Sequence, residues 1–184
     1  MSFKISDFKA AFVGGIARPN LWLAELTVVG SDVGTVSTLA PKFSFRCEKA
    51  EIPGRSVATV DDTGSGPTLK LPYEVTYNDV ELTIICANDM KERKYFDGWI
   101  DTIVSNVGDT NNSGLVNYYS DFARGNILVL SQLDDSGEKT ISYTLHDVYP
   151  IGISAMNLSW EEINTYQRFS VTMNYRYHTF ELGT

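Results

Sequence analysis

The sequence of 184 residues is poor in the residue types that metal and redox sites need. It has two cysteines, Cys47 and Cys86, and two histidines, His146 and His178. No cysteine is part of a CxxC pair or lies near a histidine, so the ligand spacing of a zinc site is missing. Because both cysteines lie in apolar stretches, we expect them to be reduced core residues. We predict no catalytic residue, no metal and no cofactor.

Long apolar runs are also absent. No segment approaches the roughly 18 consecutive apolar residues of a membrane-spanning helix. The first residues, Met1 to Asp7, lack the apolar region and the small-residue cleavage site of a signal peptide. We therefore expect a protein that is made and kept in the cytosol, without membrane contact.

Positive charge is scarce. Fifteen lysines and arginines stand against 23 acidic residues, which gives a formal net charge of −8. Sequence-independent binding to nucleic acid depends on clustered basic side chains that displace counterions from the phosphates. This balance therefore opposes a nucleic-acid-binding function.

The composition is that of a folded protein. Hydrophobic residues make up 43% of the chain and aromatic residues 12%. This content excludes a wholly disordered chain, and the length suits one core. We predict a single domain over residues 1–184.

Three pairs of carboxylates, of the kind that hydrolases use, are better explained as turn residues. Asp61-Asp62, Asp134-Asp135 and Glu161-Glu162 each lie in a segment of turn-forming residues. Gly64-Ser65-Gly66 lacks the spacing of a phosphate-binding loop and precedes a strand pattern rather than a helix. Neither feature indicates catalysis.

Two helices are predicted. Apolar residues at helical spacing indicate a short amphipathic helix over residues 3–13. A second helix is predicted from about Met90 to Val104, with Asp89 as N-cap and Glu92 in the capping-box position. Its buried stripe is expected to consist of Phe96, Trp99, Ile100 and Ile103.

The remaining periodic segments have the alternation of β-strands. Leu21–Val29 and Lys42–Lys49 are predicted to pair as a hairpin with a long loop. Val80–Cys86 is more uniformly apolar than the strand pattern before it and is predicted to be a central strand, and Ile127–Leu133 and Lys139–Leu145 are predicted to form a second hairpin. Near the C-terminus one strand is predicted to place five residues on its buried face: Phe169, Val171, Met173, Tyr175 and Tyr177.

A third hairpin, from Arg55 to Tyr77, is unusually long and polar at its tip. Residues 61–67 are nearly all turn formers, so the tip is expected to be exposed. In the returning arm Leu69, Leu71, Tyr73, Val75 and Tyr77 alternate with polar residues, which predicts one packing face. Pro72 cannot donate a ladder hydrogen bond, so the arm is predicted to lie at a sheet edge or beside a bulge.

A group of aromatic residues has no clear periodicity. Tyr118, Tyr119 and Phe122 lie close to Arg124 in the sequence. Aromatic side chains anchor both cores and protein interfaces. Both a subunit contact and a core anchor remain open for Tyr118 and Tyr119.

Short blocks spread over nearly the whole chain have a family likeness. They are Ala17–Trp22, Phe45–Ala50 followed by Ile52-Pro53-Gly54, Ala87–Asp89 before a helix with Phe96–Trp99, and Tyr149-Pro150 followed by Leu158-Ser159-Trp160. In this order they resemble the tail tube proteins of T4-type contractile-tailed phages. The segment from Gly30 to Pro41 departs from the family pattern because it is longer.

The resemblance implies a mainly β (α+β) fold, with a β-sandwich or barrel-like body, one flanking amphipathic helix and a long protruding hairpin. It implies a structural subunit of stacked six-fold rings around a channel for DNA passage, located in the virion tail and assembled in the host cytoplasm. The implied partners are further copies of the chain, the sheath, tape-measure, baseplate and tail terminator proteins, and double-stranded DNA in transient, non-specific passage. The candidate interface residues are Arg55, Val57, Leu69, Leu71, Tyr73, Val75, Tyr77, Tyr118 and Tyr119.

Other functions stay open at this point. The inner tube subunits of type VI secretion and extracellular contractile injection systems share the implied fold, so fold alone does not separate them. A monomeric carbohydrate-binding β-sandwich would show a row of exposed aromatic residues on one sheet face. An enzyme would require clustered titratable groups in a pocket.

Overall fold

The computed structural model describes residues 5, 10, 12, 15–29, 43–64, 66–104, 115–161 and 163–183. Among them the chain forms ten strands and three helices. The predicted helix over residues 3–13 falls largely outside the described residues, as do the loop from Gly30 to Pro41 and the polar loop from Asn106 to Gly114.

The first sheet has four antiparallel strands in the order β1-β6-β7-β10. They are β1 (Trp22–Thr27), β6 (Ile127–Leu133), β7 (Lys139–His146) and β10 (Tyr177–Leu182). The hairpin predicted for β6 and β7 is confirmed, and its turn is closed by Asp134, whose carboxylate accepts hydrogen bonds from the backbone of Ser136 and Glu138.

The second sheet also has four antiparallel strands, in the order β2-β5-β9-β8. They are β2 (Cys47–Ala50), β5 (Val80–Ile85), β9 (Arg168–Asn174) and β8 (Tyr149–Ile153). The central position predicted for the Val80 strand is confirmed, since β5 lies between β2 and β9.

The core lies between the inner faces of the two sheets. In β5 the buried residues Val80, Leu82 and Ile84 alternate with more exposed ones, as a strand with one covered face requires. They pack in one cluster with Leu128 and Leu130 of β6. The mainly β sandwich-like architecture predicted from the sequence is confirmed.

A single long helix flanks the second sheet. Helix α2 (Lys91–Ile103) buries Tyr95, Phe96 and Trp99, and the Phe96 ring meets that of Phe169 in β9 at 6.0 Å. Trp99 donates its indole N–H to the Phe122 carbonyl at 3.0 Å, which ties α2 to the short helix α3 (Tyr119–Phe122). The helix is confirmed to within one residue at each end.

The start of α2 differs from the predicted capping box. Met90, with φ 51, holds the N-cap position, and Asp89 accepts from the Lys91 backbone at 3.4 Å. The Glu92 carboxylate does turn back, but it accepts the Ala87 N–H at 3.1 Å and pairs with Arg46. The arrangement differs because Glu92 is fully buried, and a buried carboxylate requires a cation beside it. A solvent-exposed capping residue would not require one.

The predicted pairing of Leu21–Val29 with Lys42–Lys49 is wrong. Residues Phe43–Arg46 form the short helix α1, and the following strand β2 pairs with β5, while β1 pairs with β6. Buried Phe43 and Cys47 are four residues apart, a spacing that fits a helical turn as well as a strand. The local pattern therefore could not identify the partner.

The predicted C-terminal strand is in fact two strands. β9 ends at Asn174, and Tyr177 begins β10 in the other sheet. Phe169, Val171, Met173 and Tyr175 are buried as predicted, whereas Tyr177 is exposed and its neighbour His178 is buried. The alternation reverses because the chain crosses between sheets at Tyr175-Arg176, where the Arg176 N–H binds the His146 carbonyl.

Candidate interaction surfaces

The long hairpin is a separate two-stranded sheet. It consists of β3 (Arg55–Asp62) and β4 (Leu69–Tyr77), paired from Arg55 opposite Tyr77 to Asp62 opposite Leu69. Nearly all its residues are exposed, including the described residues of the polar tip. The large side chains Val57, Leu69, Leu71, Tyr73 and Val75 are between 41% and 67% exposed. The hairpin thus exposes a row of apolar side chains that an isolated subunit leaves in water.

A bulge divides this apolar surface between two faces. Ala58 pairs with Glu74 and Thr59 with Pro72, which leaves Tyr73 as the extra residue. This agrees with the prediction that the arm with Pro72 lies at a sheet edge or beside a bulge. Because side chains alternate along β3 and cross-strand partners share a face, Val57 and Val75 lie on one face, whereas Val60 and Leu71 lie on the other. The single packing face predicted for β4 is therefore wrong.

We call these surfaces the root face and the tip face. The root face carries Val57 and Val75 next to the body. The tip face carries Val60, Leu69 and Leu71 near the turn, at the far end of the hairpin. One hairpin thus exposes apolar side chains in two opposite directions.

An aromatic cluster anchors the root of the hairpin. Tyr77 meets the rings of His178 at 5.1 Å and Tyr175 at 5.9 Å, and Tyr143 meets His178 at 5.9 Å. The Tyr175 hydroxyl and His178 Nδ1 are buried without a hydrogen-bond partner. Burial, with a smaller contribution from Arg55, lowers the pKa of His178. Of the predicted site residues, Tyr77 therefore belongs to the anchor of the hairpin, and Arg55 lies opposite it in the strand pairing.

The predicted tyrosine pair has divided roles. Tyr118 is 82% exposed, whereas Tyr119 is half-exposed and its ring contacts Phe122 and Tyr149 at 5.7 and 6.0 Å. Burial and the nearby charge of Asp147 raise the pKa of Tyr119. Tyr119 therefore has an aromatic packing role, whereas Tyr118 projects into solvent in the described part of the chain.

Strand β10 is an exposed sheet edge that the sequence did not predict. It is the last strand of the first sheet and pairs with β7 alone, and Tyr177, Phe180 and Leu182 are exposed along it. Such an edge is open to pairing with another chain. The sequence analysis places Tyr177 in the same predicted strand as Phe169 and predicts no separate strand for the residues that follow.

The titratable side chains that metal or redox sites use have structural surroundings in the described part of the chain. Among them no group of three or more His, Cys, Asp and Glu side chains is placed to hold a metal ion. Burial raises the pKa of the Cys47 thiol to about 12, so it is a protonated core thiol at neutral pH. Cys86 is also free but only partly buried. His146 bonds to Thr179 at 3.1 Å and stacks on Tyr177.

None of the described helices is both long and apolar enough to cross a membrane.

Comparison with protein families gives one match over nearly the whole chain. The family model described as phage tail tube protein matches residues 8–181. Tail tube protein gp19 of Enterobacteria phage T4 is 22% identical over 170 residues, which are 92% of this chain and 95% of the phage protein. The corresponding protein of Enterobacteria phage T6 has the same identity over the same length.

Solved structures with the same fold come from contractile injection machines. One is a chain of the sheath/tube terminator of the extracellular contractile injection system PVC, with a TM-score of 0.64 and 12% identity over 92% of this chain and 99% of that one. Another is a chain of the anti-feeding prophage baseplate, with a TM-score of 0.61 and 10% identity over 92% and 97%. At these identities the likeness concerns the fold.

Proposed function

Because this chain belongs to the phage tail tube protein family, we propose that its copies assemble into stacked six-fold rings around a channel. It is a structural tail tube protein and not an enzyme. One observation carries the proposal: the hairpin exposes apolar side chains on both faces, and nearly all of its residues are open to solvent. An isolated subunit would keep these side chains in water, whereas neighbouring copies would cover them.

The hairpin suits contact with a lateral neighbour. Its outer edges and strand β10 both carry backbone groups that can pair with a further strand. A hairpin strand added to the β10 edge of the next copy would satisfy both edges and cover Phe180 and Leu182. The contact joins two different surfaces, so it is heterologous and closes into a ring when the rotation is right. Arg55, Val57, Tyr73 and Val75 are the residues proposed for it, while Tyr77 holds the root of the hairpin on its own subunit.

The proposed external partners follow from the place of a tail tube in a contractile tail. A sheath would surround the tube, baseplate and terminator proteins would cover its two ends, and a tape-measure protein would set its length. Double-stranded DNA would pass through the channel without being held. The charge of −8 supports passage, because a basic wall would retain a polyanion.

A second candidate is the inner tube of an extracellular contractile injection system. This candidate is supported by the fold match to a chain of the PVC sheath-tube complex, which has a TM-score of 0.60 over 98% of this chain. The subunit would assemble in the same way, and the cargo would differ.

Electron microscopy of the purified protein tests the proposed assembly. Negative stain is expected to show rings or hollow tubes, and light scattering is expected to show particles that grow with concentration. A stable monomer at high concentration, with no rings or tubes in the images, would contradict the proposal.

A further inference from the structure

The segment between β8 and β9, residues 154–167, carries the most exposed tryptophan of the described chain. We call it the β8–β9 loop. Trp160 is 103% exposed, Leu158 87% and Ile163 78%. Three large apolar side chains within six residues thus project into solvent, outside the core cluster. A loop of this kind is typical of an interaction surface.

Hydrogen bonds hold both arms of this loop on the body. Ser154 donates its N–H to the Ser170 carbonyl at 2.8 Å, and the Ser154 hydroxyl accepts the Ser170 N–H at 2.8 Å. The Tyr166 hydroxyl donates to the Glu48 carboxylate at 2.6 Å, and Arg93 donates to the Ser154 carbonyl at 2.7 Å. The two ends of the loop are therefore fixed on the body, which lowers the entropic cost of binding.

The two arms of the loop enclose a cleft of about 430 Å³. Amide side chains line much of it, from Asn157, Asn164 and Gln167, together with Met156 and Tyr166. Leu158, Trp160 and Ile163 belong to the same loop and are open to solvent. A partner that fits has a narrow polar end followed by apolar side chains.

The hairpin of a second copy has such a polar end followed by apolar side chains. Its turn is polar, with Thr63 and Gly64 exposed, and the tip face with Val60, Leu69 and Leu71 follows directly. The polar turn is chemically complementary to the amide-lined cleft. The apolar tip face is likewise complementary to the exposed apolar residues of the loop.

The hairpin and the β8–β9 loop also lie at opposite ends of the second sheet, as a contact between successive copies requires. The hairpin leaves the second sheet where Val80 pairs with Met173, and the β8–β9 loop lies where Ile85 pairs with Arg168. These are opposite ends of the same strands, roughly 17 Å apart. An assembly that repeats along an axis needs two different surfaces at opposite ends of each copy.

We propose that the β8–β9 loop receives the hairpin tip of a second copy from the adjacent ring, with Trp160 and Leu158 packed against the tip face. This contact rests on the proposed function and adds the axial interface to it. The root face would serve the lateral contact and the tip face the axial one, so the bulge at Tyr73 would separate the two interfaces of one hairpin.

The test compares full-length variants by electron microscopy and sedimentation. Trp160→Ser is expected to raise the protein concentration needed for tubes at least tenfold and to leave single rings, since a buried interface tryptophan contributes about that factor or more. Val60→Ser with Leu71→Ser is expected to give the same rings without tubes. Trp160→Phe keeps an aromatic ring and serves as the matched control, with tubes retained. Because Trp160 is fully exposed in the subunit, the Tm of the two Trp160 variants is expected to be unchanged.

Two results would overturn the axial contact and leave the tube function intact. In the first, the Trp160→Ser variant forms tubes at the same protein concentration as the wild type. In the second, the Trp160→Ser variant stays monomeric without forming rings, which would make the loop a lateral contact. A wild-type protein that forms neither rings nor tubes would instead refute the proposed function itself.

Discussion

At the scale of single residues, the ion pair between Glu92 and Arg46 joins helix α2 to helix α1. Glu92 is fully buried, and Arg46 is its ion-pair partner. Arg46→Met leaves the carboxylate buried without its cation, which is expected to cost about 3 kcal/mol. Thermal unfolding by circular dichroism should then show a Tm lower by roughly 6–12 °C.

Lys49→Met is the matched control for this prediction. Lys49 pairs with Glu51 at 3.1 Å on the surface, where an ion pair contributes at most about 1 kcal/mol. An equal fall in Tm for Arg46→Met and Lys49→Met would contradict the prediction, because it would show that the buried carboxylate of Glu92 depends on its cation no more than an exposed one does.

His178 is predicted to make the stability of the protein depend on pH. Its pKa is lowered by burial and then by Arg55, while Tyr77, Tyr143 and Tyr175 present uncharged rings to it. Because the unfolded chain takes up this proton more readily, stability is present above the ordinary histidine pKa and declines as pH falls below about 6.5. His178→Phe is expected to flatten the fall in Tm between about pH 7.5 and 5.5.

The same substitution at His146, the second histidine of the chain, controls for the loss of an imidazole. A His178→Phe protein with the wild-type pH profile would show that another group is responsible. At neutral pH the variant should be at least as stable as the wild type, because Nδ1 of His178 is buried without a partner.

At the scale of elements, the hairpin is predicted to be needed for assembly and not for folding. Replacing Val57–Val75 by a short Gly-Ser turn removes residues that are nearly all exposed, while the core residues of both sheets and Trp99 remain. The variant should unfold cooperatively in circular dichroism and form no tubes in electron micrographs. Little apolar core surface is uncovered, so the loss at about 25 cal/mol per Å² should be small.

Two outcomes would count against this role. Tubes that persist without the hairpin would remove it from the assembly. Loss of the cooperative transition would place the hairpin inside the folding unit, contrary to its exposure.

At the scale of the whole molecule, negligible affinity for duplex DNA at physiological salt is predicted. The formal charge of −8 and the scarcity of basic residues leave few side chains to displace counterions from phosphates. A mobility shift of labelled duplex should stay absent at sub-micromolar protein. A shift that weakens with added salt would show that a local basic surface outweighs the net charge.

Much of the local structure followed from the sequence alone. Helix α2, strand β5 and the β6–β7 hairpin could be predicted from the stripe around Phe96 and Trp99, the largely apolar run Val80–Ile85 and the turn residues 134–138. Each of these patterns is complete within one element. The exposed polar tip followed from the turn-forming residues. The position of Pro72 at a sheet edge or beside a bulge followed from the missing N–H of proline. The collinear blocks predicted the family that the comparison then matched. A single domain over residues 1–184 stays a prediction.

Tertiary structure alone decided the pairings between distant segments. Cys47–Ala50 pairs with β5 instead of β1, and the chain changes sheet after Asn174, because long-range partners compete for the same strand edges and no local pattern records the winner. The same holds for Glu92, whose cap-like position became a buried ion pair once α1 packed beside it. The two faces of the hairpin and the opposite placement of the β8–β9 loop likewise depend on register, which sets the direction of every side chain beyond the bulge.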